Sequence, residues 1–237
     1  MKYLAASVFV ALTLACGVAA HAERLEPFNS VYARTDYSST YLTVKTLADE
    51  GSTSAQFELG RMFENGIGVG RDPQQAVFWY GQAAAQGDAE AQTNLGVLYA
   101  RGVGVPRNDG YAVAWFRKAA EQGLAKAQYD LGYMYAKGLG VPRDDQLAID
   151  WYRKAAGQGV VRAQYNLGEI YSKGVGVPKD DQQAYFWWLL ASAQGFAQAV
   201  EKRDLVELKL PPEQRAGAQV LARSWIPKLV SPAPVQP

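Results

Sequence analysis

Pairs of acidic or amide side chains recur along this chain at a fixed distance: Asn108-Asp109, Asp144-Asp145 and Asp180-Asp181. Two neighbouring carboxylates can share acid and base work, and carboxylates alone can hydrolyse glycosides. A reaction needs such a pair once. Here it returns every 36 residues, each time ahead of an apolar stretch with helical spacing. Asp or Asn in that place accepts hydrogen bonds from the first free N–H groups of a helix. Capping therefore explains the recurrence more simply than catalysis.

Two basic ladders recur with the same period. Arg101, Lys137 and Lys173 each stand one residue before a glycine, where a cation complements a helix C-terminus. Arg71, Arg107, Arg143 and Lys179 lie beside the capping residues, within reach of local ion pairs. The Gly-x-Gly of each loop matches no phosphate-binding fingerprint and reads as a turn device.

The single Cys and the single His are Cys16 and His21. Both fall within residues 1–22, which read as a secretory signal peptide: Lys2, an apolar run from Leu4 to Ala20, and an Ala20-His21-Ala22 cleavage site. The alternative is a lipobox-like Thr13-Leu14-Ala15-Cys16, with a lipid on Cys16. Cleavage after Ala22 removes both residues. The mature chain would then have no disulfide, no zinc or copper site of the His/Cys kind, no Cys nucleophile and no Ser-His-Asp triad. No catalytic, cofactor-binding or metal-binding residue is expected. The signal takes only Lys2 from 24 basic residues, leaving them level with 23 acidic ones. A neutral chain has no global field for nucleic acid, and no membrane span is expected.

These residues are positioned by a unit of 36 residues written four times, starting at Ala55, Ala91, Ala127 and Ala163. Each unit predicts two helices. In the third, helix A presents Ala127, Leu131, Met134 and Tyr135 on one face. It stops at Gly138, where the chain must turn left-handed. Helix B opens at Asp144, carries Ala148, Trp151, Tyr152, Ala155 and Ala156, and ends at Gly159. Gln75 and Gln183 follow Asp72 and Asp180 by three residues, which predicts a reciprocal capping box. Gly60, Gly96, Gly132 and Gly168 sit inside helix A, where Gly costs about 1 kcal/mol relative to Ala. The expected reason is close approach of a helix B aromatic. Trp151 is expected in the core between units three and four.

The pattern A-Q-Y-x-L-G-x-M-Y-x-x-G-x-G-V, then D, then A-x-x-W-[YF]-x-x-A-A-x-x-G, resembles the Sel-1-like repeat family. Ser192 departs from its final Ala pair and Gly70 from its loop Pro. The resemblance implies an all-α fold: an α/α solenoid, a right-handed superhelix related to tetratricopeptide arrays. It also implies a scaffold or adaptor that holds protein partners, and not an enzyme.

Five stretches follow: the signal peptide, residues 1–22; a leader and half-repeat cap, 23–54; four repeats, 55–198; C-terminal capping helices, 199–226; and a disordered Pro-rich tail, 227–237. Val220, Leu221 and Trp225 are expected on the apolar side of the last helix. Trp187, Trp188, Leu189 and Leu190 make the last helix B apolar almost all round. The C-terminal cap is its expected cover, and a partner is the alternative.

Packing positions repeat, so specificity must lie where the units differ. On helix A the fourth, seventh and eleventh positions align on one side. They hold Glu58, Arg61 and Asn65; Asn94, Val97 and Arg101; Asp130, Tyr133 and Lys137; and Asn166, Glu169 and Lys173. An ordinary solvated face accounts for their polarity but less well for Tyr133 beside Val97. The expected partner-binding residues are Asn94, Asp130, Tyr133, Lys137, Asn166, Glu169 and Lys173. Asp130 and Glu169 would select a polar or basic segment. The chain is thus expected to be an exported scaffold, periplasmic or secreted, holding a protein or peptide on its concave helix A face. The alternatives are a cell-wall hydrolase and a lipid-anchored assembly factor.

Overall fold

The computed structural model describes residues 37–227, which hold eleven α-helices and no strand. The expected signal peptide, Cys16, most of the leader and the tail beyond Pro227 lie outside them.

Helix α1 (Tyr37–Asp49) is followed by four A–B pairs. These are α2 (Thr53–Asn65) with α3 (Pro73–Ala85), and α4 (Ala89–Arg101) with α5 (Asp109–Glu121). Next come α6 (Ala125–Lys137) with α7 (Asp145–Gly157), and α8 (Val161–Lys173) with α9 (Asp181–Ala193). Helices α10 (Ala197–Glu207) and α11 (Pro212–Ser224) close the array. Each helix from α1 to α9 packs on the next in the chain, and α11 folds back onto α9. The result is an α/α solenoid whose core is a row of clusters along the array.

The junctions follow from local chemistry. Gly138 takes a left-handed φ of 65° and returns its N–H to Met134 and Tyr135 carbonyls, ending α6. The Asp144 carboxylate then accepts the Leu147 N–H at 2.9 Å and opens α7. The reciprocal capping box does not form, because the cap's own N–H is used elsewhere. In every unit it donates back to helix A: Asp72 to Phe63, Asn108 to Tyr99, Asp144 to Tyr135 and Asp180 to Tyr171, at 2.9 to 3.1 Å. That bond closes the A–B loop instead. The second carboxylate of each pair takes the loop cation: Arg107 on Asp109, Arg143 on Asp145 and Lys179 on Asp181. The second loop glycine also serves the next junction. A Cβ on Gly140 would lie 2.3 Å from the Asp109 carbonyl of the preceding unit.

The glycines inside helix A do lie under aromatic rings. A Cβ on Gly132 would sit 2.9 Å from the Tyr152 ring, and one on Gly168 would sit 2.3 Å from Trp188. The ring is the one after the repeated Trp. Tyr80, Phe116, Tyr152 and Trp188 are buried, whereas Trp115, Trp151 and Trp187 are only half-buried. Trp151 is not a core residue between units three and four. It packs backwards, on the cluster of Phe116, Leu131 and Met134, with Lys154 Nζ 3.9 Å above its ring.

At the C-terminal end, Trp188 and Leu190 are buried, and Trp188 shares a cluster with Val206 and Ala218 of the closing helices and Leu210 of the turn between them. Val220 and Leu221 are exposed, contrary to expectation; Ala218 is the buried residue of α11. A small side chain lets α11 lie close against α9, so the larger residues beside it turn outward.

Eight glutamines hold the units in register. Buried Gln56, Gln92, Gln128 and Gln164 donate to the carbonyls of Ala48, Ala84, Ala120 and Ala156, at the end of the preceding helix B. Their own oxygens accept from Gln86, Gln122, Gln158 and Gln194, at 2.7 to 2.9 Å. Each buried amide is thereby satisfied on both sides.

Candidate partner-binding surface

The outward side of helices α4, α6 and α8 carries the expected stripe. Its fourth-position residues are half-buried, and its last-position residues, Arg101, Lys137 and Lys173, are exposed. Asn94 accepts from Lys126 at 3.5 Å, one unit on. Asn166 is the hydrogen-bonding neighbour of the Tyr129 and Tyr152 hydroxyls, both pushed upward mainly by burial. Glu169 holds Lys173 and lies 3.4 Å from Lys202 of α10. Burial pushes its carboxyl up, but the two lysines together outweigh burial and hold it below the usual range. Asn94, Asn166 and Glu169 are therefore engaged within the protein.

Asp130 is different. Its Oδ2 is buried and accepts no hydrogen bond. Burial raises its pKa to about 6, against the pull of Lys126, Arg101 and Arg162. It lines a cavity of about 240 Å³ with Val97, Arg101, Tyr133 and Met134. Tyr133 stands at this cavity 41% exposed. One unit on, Lys137, Arg143, Asp145 and Ile170 line a second cavity of about 310 Å³. Lys137 thus belongs to the second recess, Asp130 and Tyr133 to the first. Asn94, Asn166, Glu169 and Lys173 line neither.

Both recesses have the same construction. Each has a last-turn cation of one helix A, Arg101 or Lys137, and a loop arginine locked on its aspartate, Arg107 on Asp109 or Arg143 on Asp145. Arg101 and Lys137 form no ion pair among the described residues. The two carboxylates expected to select a polar or basic segment both have cations around them. Glu169 is neutralised by two lysines, and Asp130 lies among three cations.

The stripe as read at three positions missed Lys126 and Arg162. They stand four residues before Asp130 and Asn166, one helical turn back on the same face. Extending the i, i+4 spacing towards the N-terminus of helix A finds them. The glutamines were legible as a recurrence at the 36-residue period, though not as a bonded network.

Comparison with known proteins adds the family. Residues 53–88, 89–124, 125–160 and 161–196 each match the Sel1 repeat. Comparison with curated proteins gives no match. The chain is similar to the crystal structure of c5321, a protective antigen of uropathogenic Escherichia coli strains with an SLR fold. That similarity has a TM-score of 0.72 and 39% identity over 78% of this chain. The chain spans 40% of the length of that protein. It is also similar to a Sel1 repeat protein from Oxalobacter formigenes, with a TM-score of 0.67 and 36% identity, covering 72% of this chain and 70% of the other. Sel1 repeat proteins are generally scaffolds for protein interaction. Four consecutive matches across more than half of its length, on a solenoid of paired helices, make this chain a member of the Sel1 repeat family.

Proposed function

We propose that this protein is an exported scaffold that holds a protein or peptide on the helix A face of units two to four. The observation that carries this reading is the Tyr133 recess. An aromatic ring stands 41% exposed over a cavity, beside a carboxylate oxygen that no protein group reaches. Aromatic side chains at such places serve as interface anchors. The face is also where the repeats differ while their packing positions stay constant, as a fixed scaffold with variable recognition requires. Export rests on residues 1–22: the charged start, the apolar run and the Ala20-His21-Ala22 site.

The test pairs Tyr133→Ala with Lys118→Ala, a control on the helix B side. Both variants should keep their helical circular dichroism and melting point. Only Tyr133→Ala should lose the partner recovered with the native protein from its own compartment. Normal binding by Tyr133→Ala would remove the surface from consideration. The mass of the mature N-terminus checks export: a chain starting at Glu23 supports it, and an acylated Cys16 would assign a lipid anchor instead.

A further inference from the structure

We infer that the partner segment is acidic, and that its carboxylates dock on Arg101 and Lys137 at the two equivalent recesses. This rests on the helix A face being the partner surface, and it adds the chemistry of the partner.

The charge of that face carries the inference. Helices α4, α6 and α8 hold five cations: Arg101, Lys126, Lys137, Arg162 and Lys173. They face three carboxylates, Glu90, Asp130 and Glu169. The chain as a whole carries a net charge of only +1. Helices α5, α7 and α9 hold four cations against five carboxylates, so the helix A face of units two to four is the more positive side and steers an oppositely charged segment to it.

The placement of the charges sharpens this. Two of the carboxylates are withdrawn: Glu169 sits between Lys173 and Lys202, and Asp130 is half-buried. Arg101 and Lys137 are exposed and form no ion pair among the described residues. The cation beside each of them is already held, Arg107 by Asp109 at 2.8 Å and Arg143 by Asp145 at 2.8 Å. Each recess thus offers one uncommitted cation. The first adds apolar wall, Val97 and Met134, beneath Tyr133. An extended segment lying across both recesses would present acidic side chains to the two cations and an apolar or polar one to the Tyr133 cavity. Single cations spaced one repeat apart suit discrete side chains. A nucleic acid backbone asks for a continuous basic track.

Asp130 makes the preference depend on pH. The charged and titratable groups around it are Lys126 on its own helix, Arg101 on α4, Arg162 on α8, and the Tyr129 and Tyr152 hydroxyls. Protonation of Asp130 removes one of the three carboxylates from the face, so an acidic segment gains as pH falls. Its own Asp and Glu side chains remain charged until about pH 4.

The experiment uses the full mature chain and a labelled ten-residue peptide of alternating glutamate and serine. Lysine–serine and glutamine–serine peptides serve as counterparts. At low salt the glutamate peptide should bind about tenfold tighter than either counterpart and weaken steeply with added salt. The double variant Arg101→Gln/Lys137→Gln should lose about fivefold or more in affinity. Lys118→Gln/Arg223→Gln changes net charge equally at a distance and should lose less than about twofold. Lowering pH from about 7.5 to about 5.5 should tighten binding in the native protein, and Asp130→Asn should abolish that change. Equal binding of the lysine peptide, equal losses from the two double variants, or tighter binding of a thymidine oligonucleotide would each overturn the inference. Failure of the glutamate peptide to bind overturns the acidic partner alone. If Tyr133→Ala still loses the native partner, the surface stands, so the two failures are told apart.

Discussion

On α6 the outward face ends in Tyr133 over a cavity and in an Asp130 oxygen that no protein group reaches. On α8, 36 residues later, Glu169 replaces Tyr133 and Asn166 replaces Asp130. There Asn166 serves two tyrosine hydroxyls, and Glu169 is closed by its own Lys173 and by Lys202 of α10. The scaffold is the same in both places. What differs is whether the protein completes its own polar groups. The neighbour of α8 is a closing helix that supplies a lysine, and the carboxylate of its outward stripe needs nothing further. The middle of the array leaves its carboxylate incomplete and its aromatic ring in solvent. Within a repeat protein, the unit that cannot satisfy itself is the one to examine for a ligand.

The largest expected effect concerns the part the two units share. Tyr152 is 2% exposed and lies against Gly132, so Tyr152→Ala should cost about 3–5 kcal/mol in urea unfolding. Its neighbour Trp151 is half-buried, and Trp151→Ala should cost about 1–2 kcal/mol. The reverse order would mean that the repeated Trp is the core anchor after all. Next, Gln128→Ala removes two hydrogen bonds, to the Ala120 carbonyl and from the Gln158 amide, although each of those groups keeps a second partner in Gly123. It should cost about 1–3 kcal/mol in the same assay.

The smallest effects separate the two units by sign. The Asp130 pKa of about 6 lies above its unfolded value of 3.8, so the folded state binds the proton more tightly between them. Stability attributable to this group rises as pH falls through 6 and levels off near 4. Asp130→Asn should therefore stabilise the protein by about 1–2 kcal/mol at pH 7.5, with the gain gone near pH 4. Glu169 is held below its usual range, so its contribution is present above the unfolded pKa and is lost as pH falls through the folded one. Glu169→Gln should cost under about 1 kcal/mol at pH 7.5, because such pairs are screened by solvent. Equal signs for the two variants in pH-dependent melting would end the contrast between the units.

Most of the fold was legible. The 36-residue period, the left-handed Gly138, the Asp144 cap and the aromatic over Gly132 all follow from residue types at fixed spacing. What escaped depends on three-dimensional neighbours. About 100° of helix B rotation, one residue's step, decides that Tyr152 points inward and Trp151 backwards, and spacing alone does not fix that phase. The capping box failed because the cap's N–H finds a helix A carbonyl across the loop. Of the seven residues expected at the surface site, Asp130 and Tyr133 share one recess and Lys137 lines the next. Lys202, which stands 36 residues after Asn166, extends the same register onto α10, but spacing alone does not show that it reaches Glu169.

The paired glutamines restrict how this chain can change its length. Each one meets a carbonyl or an amide whose counterpart stands at the same phase in every unit. Excising 36 residues at any point in the array brings a glutamine to an equivalent partner and re-forms every bond. Excising any other number sets a buried glutamine amide against the wrong groups and breaks its two hydrogen bonds, at about 0.5–1.5 kcal/mol each. Growth and loss are therefore quantised in whole repeats. Every added step would lengthen the outward face by one further recess without disturbing those already there.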